Sequence, residues 1–164
     1  MHEFLAFASR LEAVRGGFAQ RLGLPGAAYT TLIALAHLER EQEEVGISAL
    51  AAHLHASSPF VTNEIARLVR LRLVRKQPHP RDGRRVVLRL TPRGHALLER
   101  LAPLQAPVND QLFAALDTEA FRRLSALLPR LVADADAALT LLAASGPLPV
   151  TPSRPAPIPE EATP

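Results

Sequence analysis

The chain has 164 residues, nineteen basic against sixteen acidic side chains, a net charge of +3 and no cysteine. That length suits one core with accessory helices better than two independent domains, and the lack of cysteine excludes disulfides, thiolate metal sites and cysteine redox chemistry. With no basic leader before an apolar run, and no stretch near eighteen unbroken apolar residues, the sequence predicts a soluble, cytoplasmic protein with no membrane partner.

Phe4, Leu5, Phe7, Ala8, Leu11, Val14 and Phe18 recur at three- and four-residue intervals, which predicts an amphipathic helix from residue 2 to about 20, ended by Gly23. Pro25 fits the first turn of a second helix, where a missing N–H is harmless, and Leu32, Leu35 and Leu38 carry that helix toward Glu39. Glu39, Glu41, Glu43, Glu44 and Gly46 then read as a polar exit loop. Ser48 is expected to cap a short helix over 49–55, and Ser58, before Pro59, to cap another that runs to about Leu71. On a helical wheel Val61, Ile65 and Leu68 share the buried side of this second helix, leaving Thr62, Asn63, Ala66, Arg67 and Arg70 opposite. Small polar groups there can approach base edges, and the arginines beside them can hold phosphates.

Two β-leaning runs follow, 73–77 and 85–90, joined by the turn-forming residues Pro80, Arg81, Asp82 and Gly83. This predicts a hairpin with an arginine-loaded tip, its second strand alternating Val86, Leu88 and Leu90 against Val87 and Arg89. Thr91 before Pro92 is a third start of the cap-then-proline kind, opening a leucine- and alanine-rich stretch that reaches Ala144 and that Pro103 and Pro107 should kink. Asp117 is expected to cap a final helix, bent at Pro129. From 145 to 164, seven prolines and few large apolar groups predict a disordered tail. The apolar stripes of the first and last helices exceed what a small domain needs, which suggests that two subunits share a core.

Between Ile65 and Arg93 lie ten of the nineteen cations against a single acid, Asp82, while the rest of the chain holds nine cations against fifteen acids. A field so concentrated attracts phosphate backbones; a merely solvated charged face is the alternative. Asp82 is better suited to anchoring a neighbouring arginine within the hairpin than to touching a polyanion. His53 and His55, two apart on a helix, point in different directions and make a poor metal pair. No Ser/His/Asp arrangement or phosphate-cradling glycine loop occurs, so no catalytic residue, metal site or cofactor is predicted.

A short helix, a turn, a helix with a polar outer face and a basic hairpin is the winged helix-turn-helix order, and Ile47 to Leu98 resembles the MarR-type multiple-antibiotic-resistance regulators. The most specific element is PRDGRRVVLRLTPRG, residues 80–94, in which Asp82, Arg84, Leu90, Thr91 and Gly94 stand at the family's wing positions. The resemblance implies a mainly α fold with a small β-hairpin wing. It divides the chain into 1–45, N-terminal helices for dimerisation and one wall of an effector pocket; 46–91, the DNA-binding region; 92–144, C-terminal dimerisation helices; and the tail, 145–164. It also implies a homodimeric, sequence-specific regulator of double-stranded DNA, most often a repressor released by a small effector. Ser58, Thr62, Asn63 and Arg67 would lie nearest bases or adjoining phosphates in the major groove, and Arg84, with Arg81 or Arg85, at the minor groove. Tyr29 and His37 fall on the helix where such regulators place effector pockets; packing in the core or at its rim is the alternative for each. An architectural DNA binder without an effector is the alternative function. Two positions depart from the family pattern: Arg72 where glycine is usual after the recognition helix, and His79 where an acid is common at the start of the wing.

Overall fold

The computed structural model describes residues 1–146, so the tail expected over 145–164 lies outside the described residues except for its first two. The described elements are α1 His2–Arg21, α2 Gly26–Glu41, α3 Ile47–His53, α4 Ser58–Arg70, β1 Val74–His79, β2 Asp82–Leu90, α5 Pro92–Leu112 and α6 Thr118–Ala144. This is the mainly α fold with one antiparallel hairpin that the sequence predicts. The chain falls into two compact units, Met1–Ala114 and Ala115–Pro164.

Three helices of the first unit end in the same way. After α1, Gly23 takes a φ of +66°, its N–H bonds the Gln20 carbonyl at 3.0 Å, and the N–H of Leu24 reaches back to Ala19 at 2.9 Å. His55 at φ +48° closes α3 with the equivalent bonds, and Arg72 at φ +59° closes α4, where the Leu73 N–H meets the Leu68 carbonyl at 2.9 Å. A side chain in this left-handed conformation costs about 1–2 kcal/mol. Arg72 therefore adopts the conformation for which the family pattern uses glycine, and burial of Leu68 and Leu73 across the turn offsets the strain.

Helix starts agree with the sequence to within a residue or two. Ser57, not Ser58, caps α4: its Oγ accepts the Phe60 N–H at 3.4 Å, which places Ser58 first in the helix and Pro59 second. Ser48 is not a cap either, because α3 begins at Ile47 from an extended Gly46 with no side-chain cap. Pro25 precedes α2 instead of lying in its first turn. Thr91 and Asp117 do cap α5 and α6, accepting the Gly94 N–H at 3.0 Å and the Ala120 N–H at 2.7 Å. The long helix is not interrupted at Pro103 and Pro107; it ends after Leu112, and α6 likewise continues through Pro129. A proline deletes one rung of the ladder, and the turns around Pro103 are held in place by buried Leu101 and by Leu97, Leu98, Leu104 and Val108, which pack on the core.

The core of the first unit gathers Leu32 and Leu35 of α2, Leu50 of α3, Val61, Ile65 and Leu68 of α4 and Leu88 of β2, all fully buried. The central element is α2, which packs on α1, α3, α4 and β2. The hairpin pairs in register from Val74↔Leu90 to Pro78↔Val86 and then jumps to His79↔Asp82, so residues 83–85 form a bulge near the tip. Val45 joins the sheet as a single bridge, its carbonyl accepting the Leu88 N–H at 2.8 Å. The predicted alternation fails beside the bulge. Val86 is exposed and Val87 buried, the latter sharing a small depression with Glu43, Glu44, Gln77 and Pro78.

The outer helices keep their apolar stripes uncovered. Only Phe18 and Ala19 of α1 are buried, while Phe4, Leu5, Phe7 and Leu11 are exposed. In the second unit, α6 has no buried residue, and Phe121, Leu127, Leu131, Leu139 and Leu142 are all exposed.

Candidate DNA-binding surface and adjoining cleft

The outer side of α4 carries the residues that the wheel places there. Thr62, Asn63, Arg67 and Arg70 are exposed, with Ser58 exposed in the first turn. The Thr62 hydroxyl donates to the Ser58 carbonyl at 2.8 Å, so its oxygen lone pairs face outward as acceptors. Because Val61, Ile65 and Leu68 anchor the opposite side, this face is presented on a rigid mount.

One neighbour was missed. Glu64 lies on the buried side of α4 with Oε2 lacking a hydrogen-bond partner among the described residues; its nearest cation is the Arg67 Nε at 3.5 Å, too long for a hydrogen bond. The wheel could have found it, since Glu64 adjoins Ile65 and stands four residues before Leu68. An unsatisfied buried acceptor costs about 1–3 kcal/mol, and Arg67, half exposed, can turn to solvent without it. Glu64→Met is therefore expected to raise the melting temperature, by about 2–4 °C per kcal/mol recovered. A lower melting temperature, followed by circular dichroism, would count against this account of Glu64.

The remaining site residues sit at the hairpin end. Arg81 lies in the two-residue turn, and Arg84 and Arg85 at the start of β2, all exposed. Asp82 Oδ1 accepts the backbone N–H of Arg84 at 3.1 Å, so its carboxylate reaches the arginine's backbone, where the sequence suggested an arginine anchor. The Arg81 N–H donates to His79 Nδ1 at 3.1 Å, and His79 Nε2 lies 2.7 Å from Glu44 Oε2. At the base of the hairpin, Arg89 donates to the Glu43 carbonyl and the Leu90 N–H donates to Glu39 Oε1 at 2.9 Å. Two expectations change here. Glu39 and Glu41 belong to α2 and Glu39 and Glu44 hold the hairpin, so the acidic run is no plain exit loop; and Arg89, counted among the ten clustered cations, is engaged internally.

Behind this surface, α1, α2, α3 and α5 enclose a cleft of about 500 Å3 that brings Tyr29 and His37 together. Its walls are mainly apolar, with Arg15, Thr30, His53, Gln105 and Asn109 as further polar groups. A cleft of this size and character suits a small molecule. His37 pairs with Glu41 at 3.3 Å and its ring lies 5.4 Å from that of His53, centroid to centroid, so His53 belongs with His37 and not with His55. Tyr29 is nearly fully buried against Phe18, and burial pushes its phenol above the ordinary value of 10.0, partly offset by Arg15. The neutral phenol's contribution to stability is therefore complete below about pH 10 and lost as pH rises through the folded-state value. Tyr29 is the only tyrosine and there is no tryptophan, so ultraviolet difference absorbance can follow it directly. Its midpoint is expected above that of free tyrosine; one at or below it would contradict the packing.

Among the described residues, no group of three or more His, Asp or Glu is placed to hold a metal ion, and no helix is long and apolar enough to cross a membrane.

Residues 22–85, covering α2 to the hairpin tip, match the sequence profile of the MarR family. No curated protein matches the chain. Solved structures share its fold. BpsR of Bordetella bronchiseptica, described with the regulation of its DNA binding by 6-hydroxynicotinic acid, is 24% identical, with a TM-score of 0.64 over 80% of this chain and 91% of that one. MepR of S. aureus in complex with DNA is 18% identical, with a TM-score of 0.65 over 80% and 92%. A mutant MarR from E. coli complexed with operator DNA is 19% identical, with a TM-score of 0.65 over 79% and 91%. The profile match lies on the winged helix-turn-helix itself, and the chain shares its fold with these solved structures.

Proposed function

We propose that the protein is a homodimeric, cytoplasmic repressor that binds a pseudo-palindromic operator and is released by a small ligand. The observation that carries this reading is the exposed polar and cationic face of α4, Thr62, Asn63, Arg67 and Arg70, together with a hairpin that ends in Arg81, Arg84 and Arg85. In this reading Ser58, Thr62 and Asn63 meet base edges in the major groove, Arg67 and Arg70 take bases or phosphates, and the hairpin arginines lie at the minor groove. Asp82 shapes the wing. MepR and MarR, solved with DNA, support the binding mode.

The exposed apolar residues of α1 and α6 support pairing with a second copy, since stripes of this length are otherwise left in water. We assign 1–45 and 92–144 to that dimer, 46–91 to DNA, and 145–164 to a tail. Two recognition helices related by a two-fold axis require half-sites about one helical turn, roughly 34 Å, apart. The ligand occupies the cleft at Tyr29 and His37, a role supported by ligand control of BpsR. None of these roles calls for catalysis or a cofactor.

The residue roles separate in a binding titration across operator variants. Asn63→Ala is expected to lose about 1–3 kcal/mol of discrimination at one base pair per half-site and so to reorder the preferred sequences. Arg84→Ala should weaken every duplex alike and reduce the salt slope by about one. If both substitutions scaled affinity equally for all duplexes, the assignment of base and backbone contacts would be wrong.

A further inference from the structure

We propose that His79 is a positioning residue that presets the hairpin arginines for DNA by clasping the wing's turn to the connection between α2 and α3. This rests on the DNA-binding reading above and adds to it a residue with no DNA contact of its own.

His79 is the last residue of β1, and its side chain is almost fully buried although it stands next to an exposed turn. Both ring nitrogens are engaged. Nδ1 accepts the N–H of Arg81, two residues on, as an Asx oxygen does in a turn of that type; Nε2 meets Glu44 Oε2 at 2.7 Å. Both bonds are satisfied together when the ring proton sits on Nε2. Glu44 is itself well placed to serve as an anchor. The next residue, Val45, is locked to β2 through the Leu88 N–H, and the preceding Glu43 carbonyl accepts from Arg89.

The hairpin is consequently held at two levels. Its base is tied to Glu39, Glu43 and Val45, and its tip is tied to Glu44 through a single imidazole. The tip needs the second tie because regular pairing stops at Pro78↔Val86 and the bulge at 83–85 carries Arg84 and Arg85. A tip left to swing must be ordered when DNA arrives, and that ordering weakens binding. The clasp makes the ordering part of the folded protein. This also gives a physical reason for histidine at a position where the family pattern commonly has an acid. An acid cannot donate to Glu44 at neutral pH, whereas imidazole donates at one end and accepts at the other.

The test uses the full chain and duplexes from its own upstream region, with affinity read by fluorescence anisotropy at several salt concentrations. His79→Asn keeps an oxygen that can accept the Arg81 N–H but cannot reach Glu44; Glu44→Ala cuts the same tie from the other side and keeps the proposal testable if the histidine variant folds poorly. Each is expected to weaken binding by about tenfold. The double variant should be no weaker than either single one, and Arg84→Ala should lose most of its effect in the His79→Asn background. A purely structural role would lower the melting temperature without this coupling to Arg84. Wild-type affinity in His79→Asn and Glu44→Ala, or effects that multiply with each other and with Arg84→Ala, would overturn the clasp while leaving the DNA-binding reading intact. Failure of the unmodified protein to bind any duplex at low salt would instead overturn the reading on which the clasp depends.

Discussion

Gly94→Ala is expected to destabilise the winged region by more than about 3 kcal/mol, although alanine is the better helix former. A β-carbon at this position would lie 2.3 Å from the Leu73 carbonyl oxygen and 3.2 Å from its carbon, both backbone atoms. That carbonyl cannot easily move aside. It accepts the Thr91 N–H at 3.0 Å and lies 3.2 Å from the Thr91 hydroxyl, which also reaches the Arg72 carbonyl at 2.7 Å. Gly94 therefore sits where the end of α4, the start of β1 and the start of α5 converge, and the glycine is required by close approach. At about 2–4 °C per kcal/mol the melting temperature should fall by roughly ten degrees or the variant should fail to fold. An unchanged melting transition by circular dichroism would mean that α5 does not enter against Leu73 as described.

Ile65→Ala is expected to be nearly as damaging, costing about 2–5 kcal/mol, because Ile65 is fully buried at the centre of the side of α4 that faces the core. DNA binding should decline with it, since packing on that side is what holds the outer face in position. Asn63, two residues earlier and exposed, provides the contrast: its alanine variant should change stability by no more than about 0.5 kcal/mol while altering sequence preference. Comparable destabilisation by both substitutions would show that the two sides of the helix are wrongly assigned.

What could be read from the sequence was what local chemistry controls. The division of α4 into Val61, Ile65 and Leu68 against Thr62, Asn63, Arg67 and Arg70 follows from a 3.6-residue period, and Thr91 and Asp117 announce their helices by side-chain oxygens ahead of the first turn. Where the local signal is degenerate, the reading slips by one residue: Ser57 and Ser58 both precede Pro59, and only the fold shows which oxygen faces the Phe60 N–H. Longer-range pairings left no comparable trace. Glu39, Glu43 and Glu44 read as part of a polar exit loop because nothing in their spacing reveals that β2 lies alongside, and Arg89 counts as one more clustered cation for the same reason. His53 and His37, sixteen residues apart, come together only because α3 packs on α2. The apolar stripes of α1 and α6 were legible as apolar, and most of their large side chains are exposed in the chain.

The central claim, that the α4 face and the hairpin together read a specific DNA sequence, is tested most directly by one comparison. The intact protein is titrated against its own upstream region and against a scrambled duplex of the same length and composition, both at about 150 mM salt, where nonspecific phosphate attraction is largely screened. The upstream duplex should bind at least about a thousandfold more tightly, with protection over two half-sites one helical turn apart. Equal affinity for the two duplexes would contradict the account and leave a protein that holds DNA by charge alone.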